Sequence, residues 1–371
     1  MGKLYAIADL HLGHKANLEA LSALHDRHRE DGLILAGDLG ERDEHLRAGF
    51  RWATAHFKTV WWCPGNHELY TMPGPSPTSS SSSPGTQDPE PAARGEAKYE
   101  ACVAVAREYG VLTPEDPFAV WEGEGGPAIV CPVFALYDYS FAPEDAVRAG
   151  REVEWAAEKD IIATDEALLH PDPYPTRKAW CEALVDKFER RLGEAAARAE
   201  ELAAALDVEG EVGTTEKTGL STEKNATTCT ASSAAIPTSQ PAGAETPKQK
   251  RKVPLIIANH WPLLERLVYL PAIPRFRIWC GTRRTAAWHT RFGAAVVVSG
   301  HLHIRRTDWV DGVRFEECSL GYPRQWQRAR DAGRNINAFL REILPGPAPD
   351  DPDRRRAEIE GTTKWWIYGD A

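Results

Sequence analysis

The sequence contains little cysteine, and no cysteine has a partner at short spacing. Its seven cysteines are odd in number and widely scattered, and none belongs to a Cys-x-x-Cys pair. This pattern excludes a disulfide framework and a thiolate zinc site as the basis of the fold. We expect reduced, structural thiols.

The sequence also lacks a net positive charge and long apolar stretches. Its formal net charge of −10 argues against general nucleic-acid affinity, which requires clustered Lys and Arg to neutralise phosphates. No stretch approaches the length needed to span a bilayer, and the first residues show no signal-peptide pattern. We therefore expect a cytoplasmic protein with no stable nucleic-acid partner and no membrane partner.

Two internal segments have too few apolar residues to form a core. Residues 71–96 and 207–252 are dominated by small, polar and Pro residues, a composition typical of disorder. Because loop-closure entropy grows only slowly with length, such insertions can lie within one domain. We expect a single domain over residues 1–345 with disordered insertions at 71–96 and 207–252, followed by a C-terminal tail at 346–371.

Short apolar runs alternate with helical patterns along the rest of the chain. Six runs have the composition of buried strands: KLYAIADLH, DGLILAGD, KTVWWCPGNH, PAIVCPVF, VPLIIANH and GAAVVVSGH. Helical spacing occurs at 17–30, 43–57 and 176–206, and Asp311-Gly312 between alternating residues predicts a hairpin. The pattern is typical of a layered α/β fold.

Polar side chains with metal-binding chemistry follow five of these strands. They are Asp9 and His11, Asp38, Asn66, His260, and finally His301 and His303. Ligands gather at the carboxyl ends of strands in α/β sheets, so these residues can converge although they are far apart in sequence. Nitrogen and oxygen donors without thiolate suit Mn, Fe or Zn.

These blocks, in this order, resemble the calcineurin-like metallophosphoesterase superfamily. The blocks are Asp9-x-His11, Gly37-Asp38-x-x-Glu41-Arg42, Gly65-Asn66-His67-Glu68, Asn259-His260 and Gly300-His301-x-His303. The resemblance implies a four-layer α/β/β/α sandwich that holds two metal ions, with Mn and Fe favoured and Zn as a third candidate. It assigns Asp9, His11, Asp38 and His303 to one ion. It assigns Asp38, Asn66, His260 and His301 to the other, so that Asp38 bridges.

The same resemblance implies the catalytic roles. His67 would stand on the leaving-group side and protonate or stabilise the departing oxygen. Glu41 would orient His67, although the family motif more often has Asp at this position, and Arg42 would contact phosphate. Glu68 receives no catalytic role.

Longer stretches bear on the substrate. Three stretches of sequence resemble the actinobacterial phosphopantetheinyl hydrolase subgroup: Val111 to Phe141, Ala163 to Cys181 and Trp279 to Trp326. That resemblance implies removal of 4'-phosphopantetheine from holo acyl or peptidyl carrier proteins. The alternatives are a nucleotide or cyclic-nucleotide phosphodiesterase and a broad-specificity phosphatase. A non-enzymatic scaffold is disfavoured because every ligand position is filled.

One run of residues fits an acidic carrier protein as substrate. Between Arg275 and Arg306 there are seven arginines and no acidic residue, interleaved with aromatic side chains. We expect Arg275, Arg277, Arg283 and Arg284 to attract an acidic acyl carrier protein. The alternative interpretation is a solvated loop with ordinary core aromatics.

Overall fold

A computed structural model describes residues 1–73, 93–215, 252–346 and 364–365. Within these described residues, eleven strands form two sheets. In chain order the strands are β1 (Leu4–Ile7), β2 (Gly32–Leu35), β3 (Thr59–Trp62), β4 (Val120–Trp121), β5 (Ala128–Pro132), β6 (Leu255–Ala258), β7 (Ala294–Ser299), β8 (Arg306–Val310), β9 (Val313–Glu317), β10 (Arg341–Leu344) and β11 (Lys364–Trp365).

Helices flank the sheets, and several short 3-10 turns join them. The α-helices are α1 (Lys15–Ala20), α2 (Asp43–His56), α3 (Asn66–Leu69), α4 (Gly95–Glu108), α5 (Glu144–Ala149), α6 (Glu152–Ala157), α7 (Asp165–Leu168), α8 (Arg177–Thr215), α9 (Trp288–Arg291) and α10 (Pro323–Asp331). In the described residues, no helix combines the length and the apolar character required to cross a membrane.

The first sheet has the order β10-β1-β2-β3 and the second the order β11-β8-β9-β7-β6-β5-β4. β1, β2 and β3 are parallel, and so are β5, β6, β7 and β9. The two parallel groups point their carboxyl ends at loops that carry the predicted donors. β10 closes the first sheet by pairing antiparallel with β1.

Both faces of the central strands are buried. On β2, Ile34 belongs to a core between the two sheets, whereas Leu33 and Leu35 belong to the core that includes the helices. On β6, Ile256 likewise belongs to the core between the sheets, and Leu255 belongs to the core that includes the helices. Strands covered on both faces need apolar residues at every position, which explains the continuous apolar runs. Two parallel-rich sheets flanked by helices confirm the predicted layered α/β sandwich.

The predicted hairpin is also confirmed. β8 and β9 pair antiparallel around Asp311 and Gly312, whose φ angles are 53° and 77°. A two-residue turn of this kind requires positive φ at both central positions, which Asp and Gly tolerate. The helix predicted at 17–30 is shorter: α1 ends at Ala20, and 3-10 turns follow at Leu21–Ala23 and Asp26–His28.

A helix occupies one end of each predicted insertion. α8 continues through the predicted start at Asp207 to Thr215, and α4 begins at Gly95, inside the first insertion. The Ala- and Glu-rich composition before Asp207 favours a helix that continues into the following residues. The remainder of both insertions lies outside the described residues, as does most of the predicted tail. From that tail, β11 pairs with β8.

The core between the sheets predicts a stability effect. Ile256 is fully buried there, so Ile256→Ala should lower the free energy of unfolding by about 2–5 kcal/mol through lost burial and a residual cavity. Chemical denaturation measures this change. Val208→Ala, on an exposed side chain of α8, should stay within about 0.5 kcal/mol of the parent. Equal values for the two variants would contradict the assignment of this core.

Candidate functional site

The predicted donors all lie just beyond strand ends, in loops or, for Asn66, at the start of a helix. Asp9 and His11 follow β1, Asp38 follows β2, and Asn66 begins α3 after β3. On the second sheet His260 follows β6, and His301 and His303 follow β7. The fold therefore brings residues from both sheets to one edge of the sandwich.

Five of these residues have an unusual backbone. Their φ angles lie in the left-handed region, between 42° and 73°: Asp9, His11, Asp38, His301 and His303. Non-glycine residues in this region cost of order 1–3 kcal/mol each and persist where the surrounding structure fixes them. Concentration of this strain at one place is typical of a functional site.

The first predicted donor set forms a compact group. Donor atoms of Asp9, His11, Asp38 and His303 lie within 4.8 Å of one another. His303 Nε2 is 3.0 Å from Asp9 Oδ1 and 3.0 Å from His11 Nε2. Asp9 and His11 are almost completely buried. Four nitrogen and oxygen donors at this spacing match a single divalent-ion site.

The second predicted donor set adjoins the first through Asp38. Asn66 Oδ1 is 3.3 Å from His260 Nε2 and 3.2 Å from His301 Nδ1. His260 Nε2 is 3.4 Å from Asp38 Oδ2. Asp38 therefore faces both groups, which is the position expected of a carboxylate shared by two ions.

The protonation of the histidines differs between positions in the two donor groups. Burial opposes charge on His260, but Asp38 and Asp9 outweigh burial and raise its pKa to about 10. Burial lowers the pKa of His11 and of His301 to about 3, so both rings are neutral, which is the state that binds metal. The carboxylates thus draw positive charge into a buried pocket that also contains neutral nitrogen donors.

Hydrogen bonds outside the donor groups orient the rings. His260 Nδ1 lies 2.9 Å from the carbonyl oxygen of Ala36 and donates to it, which leaves Nε2 directed at Asp38. His303 Nδ1 lies 2.8 Å from Gln325 Oε1, which leaves Nε2 directed at Asp9. Such outer partners fix the tautomer of a metal-binding His. The residues present therefore fit two divalent ions.

His67 and Glu41 form a pair beside the donor groups. His67 Nδ1 is 2.8 Å from Glu41 Oε1, and His67 Nε2 is 3.8 Å from Asp38 Oδ2. Burial opposes charge on His67, but Asp38 and Glu41 raise its pKa to about 9. His45 and His67 hold the pKa of Glu41 far below its usual range. The Glu side chain, one methylene longer than the family's usual Asp, reaches His67 at normal hydrogen-bond distance.

Arg42 and Glu68 occupy different surroundings. Arg42 is exposed at the residue before α2 and lines a cleft of about 370 Å³ that Glu41 also borders. Glu68 is fully buried and accepts hydrogen bonds from the backbone N–H groups of Asp38, Leu39 and Gly65. Glu68 thus fixes the loop that presents Asp38.

Several residues at the site have no motif in the sequence. Ser319 donates to Asp9 Oδ2 over 2.6 Å, and the Tyr322 hydroxyl lies 3.5 Å from His67 Nε2. Asn66 Nδ2 donates to Tyr70 and to Asp165. These contacts join segments that are far apart in the chain. In the sequence, Ser319 and Tyr322 are marked only by their place after the predicted hairpin.

The four arginines predicted to attract an acidic partner each have an acidic neighbour. Arg275 pairs with Glu158 at 3.0 Å, Arg284 with Asp186 at 2.5 Å, and Arg283 and Arg277 with Glu265 at 2.9 and 3.7 Å. The run that has no acid in sequence is therefore partly neutralised by acids from other segments. A uniformly basic rim does not follow from the local sequence.

Comparison with known proteins decides the family. The calcineurin-like phosphoesterase model matches residues 2–192. The chain belongs to the calcineurin-like phosphoesterase family. It is 38% identical over 344 residues to the [acyl-carrier-protein] phosphodiesterase PptH of Mycobacterium tuberculosis, covering 93% of this chain and 84% of that protein.

The fold agrees with this assignment. The crystal structure of the phosphopantetheinyl hydrolase PptH from Mycobacterium tuberculosis superposes with a TM-score of 0.68 at 38% identity, covering 94% of this chain and 98% of that one. The predicted family, fold and phosphoesterase class are confirmed. The family implies divalent metal ions, in agreement with the donor group around Asp9.

The close approach of Gly300 to Asp9 gives a prediction. A Cβ at Gly300 would lie 2.4 Å from Asp9 Oδ2 and 2.6 Å from Ala8 Cβ, so Gly300→Ala should displace the Asp9 carboxylate. We expect turnover of bis-p-nitrophenyl phosphate to fall about 100-fold, with weaker metal retention measured by mass spectrometry. The control is Gly193→Ala, where a Cβ meets open space. Parent-like activity in Gly300→Ala would contradict the placement of Asp9.

Proposed function

We propose that this protein hydrolyses the phosphodiester bond between 4'-phosphopantetheine and the serine of a holo carrier protein. The observation that carries the proposal is the pair of donor groups that share Asp38, because a phosphoryl centre is clamped by paired ions. The substrate comes from the similarity to PptH over most of the chain.

The metal ligands follow the two donor groups. Asp9, His11, Asp38 and His303 would hold one ion, and Asp38, Asn66, His260 and His301 the other. Nitrogen and oxygen donors favour Mn and Fe, with Zn as the third candidate. When bound, two such ions lower the pKa of water toward neutrality and neutralise phosphoryl oxygens.

His67 would supply the proton to the leaving oxygen. Its imidazole is largely buried, which opposes its charge, yet Asp38 and Glu41 keep its pKa raised. Glu41 accepts from Nδ1 and fixes the ring so that Nε2 faces the donor groups. Release of a serine alkoxide requires such a proton donor, whereas release of a nitrophenolate does not. Arg42 remains a candidate phosphate contact from the rim of the adjoining cleft.

Apolar side chains on the segment that includes Phe276 are compatible with a pantetheine-bearing substrate. The Phe276 ring lies nearly parallel to the His301 ring, with centroids 6.1 Å apart. A few residues away, Tyr269 and Ile273 are 52% and 42% exposed. The methyl groups of a pantetheine arm are complementary to such a surface. An acidic carrier protein, a single domain over residues 1–345 and a cytoplasmic location stay predictions.

Intact-mass spectrometry tests the substrate. Holo acyl carrier protein incubated with this protein and Mn should lose the mass of phosphopantetheine, because the metal-assisted reaction cuts the bond to serine. Asp38→Ala should leave the carrier holo, since both donor groups lose their shared carboxylate.

Turnover of bis-p-nitrophenyl phosphate is the control for an active metal site. A carrier that stays holo while this diester is cleaved would contradict the carrier substrate. In that case a nucleotide or cyclic-nucleotide phosphodiesterase, or a broad-specificity phosphatase, becomes the leading alternative, and nucleotide substrates distinguish among them.

The assigned role of His67 predicts a dependence on the leaving group. In His67→Ala, turnover of the holo carrier should fall by about 10²–10⁴-fold, because serine alkoxide is a poor leaving group. Turnover of bis-p-nitrophenyl phosphate should fall much less. Steady-state kinetics on both substrates measures the difference, and Glu41→Gln should show a weaker form of the same pattern. Equal losses on both substrates would exclude proton donation by His67.

A further inference from the structure

A buried carboxylate lies directly behind Asn66. Asp165, the first residue of α7, is 2% exposed. Its Oδ1 accepts hydrogen bonds from Asn66 Nδ2 at 3.1 Å and from the Tyr70 hydroxyl at 2.7 Å. In the described part of the chain, an amide and a hydroxyl bind this carboxylate, and no Lys or Arg pairs with it. Burying a carboxylate without an ion-pair partner is costly, which indicates a use for it.

The two hydrogens of the Asn66 amide are both committed on this side. Asn66 Nδ2 donates to the Tyr70 hydroxyl at 2.9 Å as well as to Asp165. Because the amide is planar, its Oδ1 must then face the opposite way, toward His260 Nε2 and His301 Nδ1. A flipped amide would place its oxygen against the Asp165 carboxylate and its NH₂ group against the site for the ion.

Asp165 is itself held from α8. Arg177 Nη2 donates to the backbone carbonyl of Asp165 at 2.8 Å, and Arg177 Nη1 pairs with Glu166 at 2.9 Å. Trp279 Nε1 also donates to Glu166, at 2.8 Å. α7 is therefore tied to the long helix and to the segment before α9. This scaffold makes the direction of the Asp165 side chain independent of Asn66.

We propose that Asp165 is a positioning residue for the second metal site: it fixes the Asn66 amide so that Oδ1 faces the ion. This inference rests on the metal site in the proposed function and adds a residue that belongs to none of the five motif blocks. Asp165 would act as a hydrogen-bond acceptor rather than as a charge, since its Oδ1 accepts from both Asn66 and Tyr70. Outer partners of this kind are worth about 10–100-fold in metal affinity.

Metal binding by the full-length protein tests the proposal. After loading with Mn and dialysis, metal content is measured by inductively coupled plasma mass spectrometry, and the affinity of the weaker site by titration. The parent should hold two ions. Asp165→Leu should bind the second ion about 10–100-fold more weakly and keep the first. Asp165→Asn should recover most of the affinity, because its amide oxygen can accept the same two hydrogen bonds.

Two further variants make the result decisive. Asp145→Leu, at an exposed position on α5, is the matched control and should bind both ions like the parent. Tyr70→Phe removes one of the two Asn66 partners with little change in packing and should weaken the second ion, which keeps the proposal testable if Asp165→Leu does not fold by circular dichroism.

The possible outcomes test the positioning role of Asp165 and the metal site separately. Parent-like affinity for both ions in Asp165→Leu and Tyr70→Phe would overturn the positioning role. Equal weakening in Asp165→Asn and Asp165→Leu would also overturn it, because charge rather than the acceptor would then matter. A parent protein that holds fewer than two ions would refute the metal site itself and with it the proposed function.

Discussion

The left-handed backbone at five donor positions is the constraint on which the site depends. Asp9, His11, Asp38, His301 and His303 adopt it just beyond the strands that carry them. Each turn directs a side chain back across the strand ends toward the others. The cost is offset by contacts around it: Glu68 accepts hydrogen bonds from the backbone N–H groups of Asp38 and Leu39, and Asn17 donates to the carbonyl oxygens of Leu10 and Gly321. The sheets supply the rigidity that these strained loops need.

Charge imposes a second constraint. In the part of the chain that the structure describes, the basic groups within ion-pair distance of Asp9 and Asp38 are histidines, namely His11, His303, His67 and His260. Histidines can give up their protons to make room for metal ions, whereas Lys and Arg would remain as competing cations. The pocket therefore attracts cations while its own neutralising groups can be displaced. Glu317, buried near Asp9 through Ser319, has a pKa that burial and Asp9 raise to about 7.

The strand ends were predictable because the apolar runs were clear in type. These strands are largely buried on both faces, so their ends are marked by the first polar residue, as at Asp38 after β2 or Asn259 after β6. Asp165 could not be predicted: its partners Asn66 and Tyr70 lie far away in the chain, and α7 is too short to have a periodic pattern. The ion pairs of the arginine run could not be predicted for the same reason, because Glu158, Glu265 and Asp186 approach it only in the folded protein. Local sequence specifies strands and their ends well, and it specifies contacts between distant loops poorly.

The pairing of β10 with β1 and the place of His301 and His303 late in the chain have a consequence for biosynthesis. The donor group that begins with Asp9 is completed by His303, and the strand that carries Asp9 gains its outer neighbour only from Arg341–Leu344. A nascent chain that ends before His301 lacks a residue of both proposed ligand sets. With the ligands proposed above, metal binding would follow synthesis of the last strands, and a shorter polypeptide stalled on the ribosome would have no complete centre to fill.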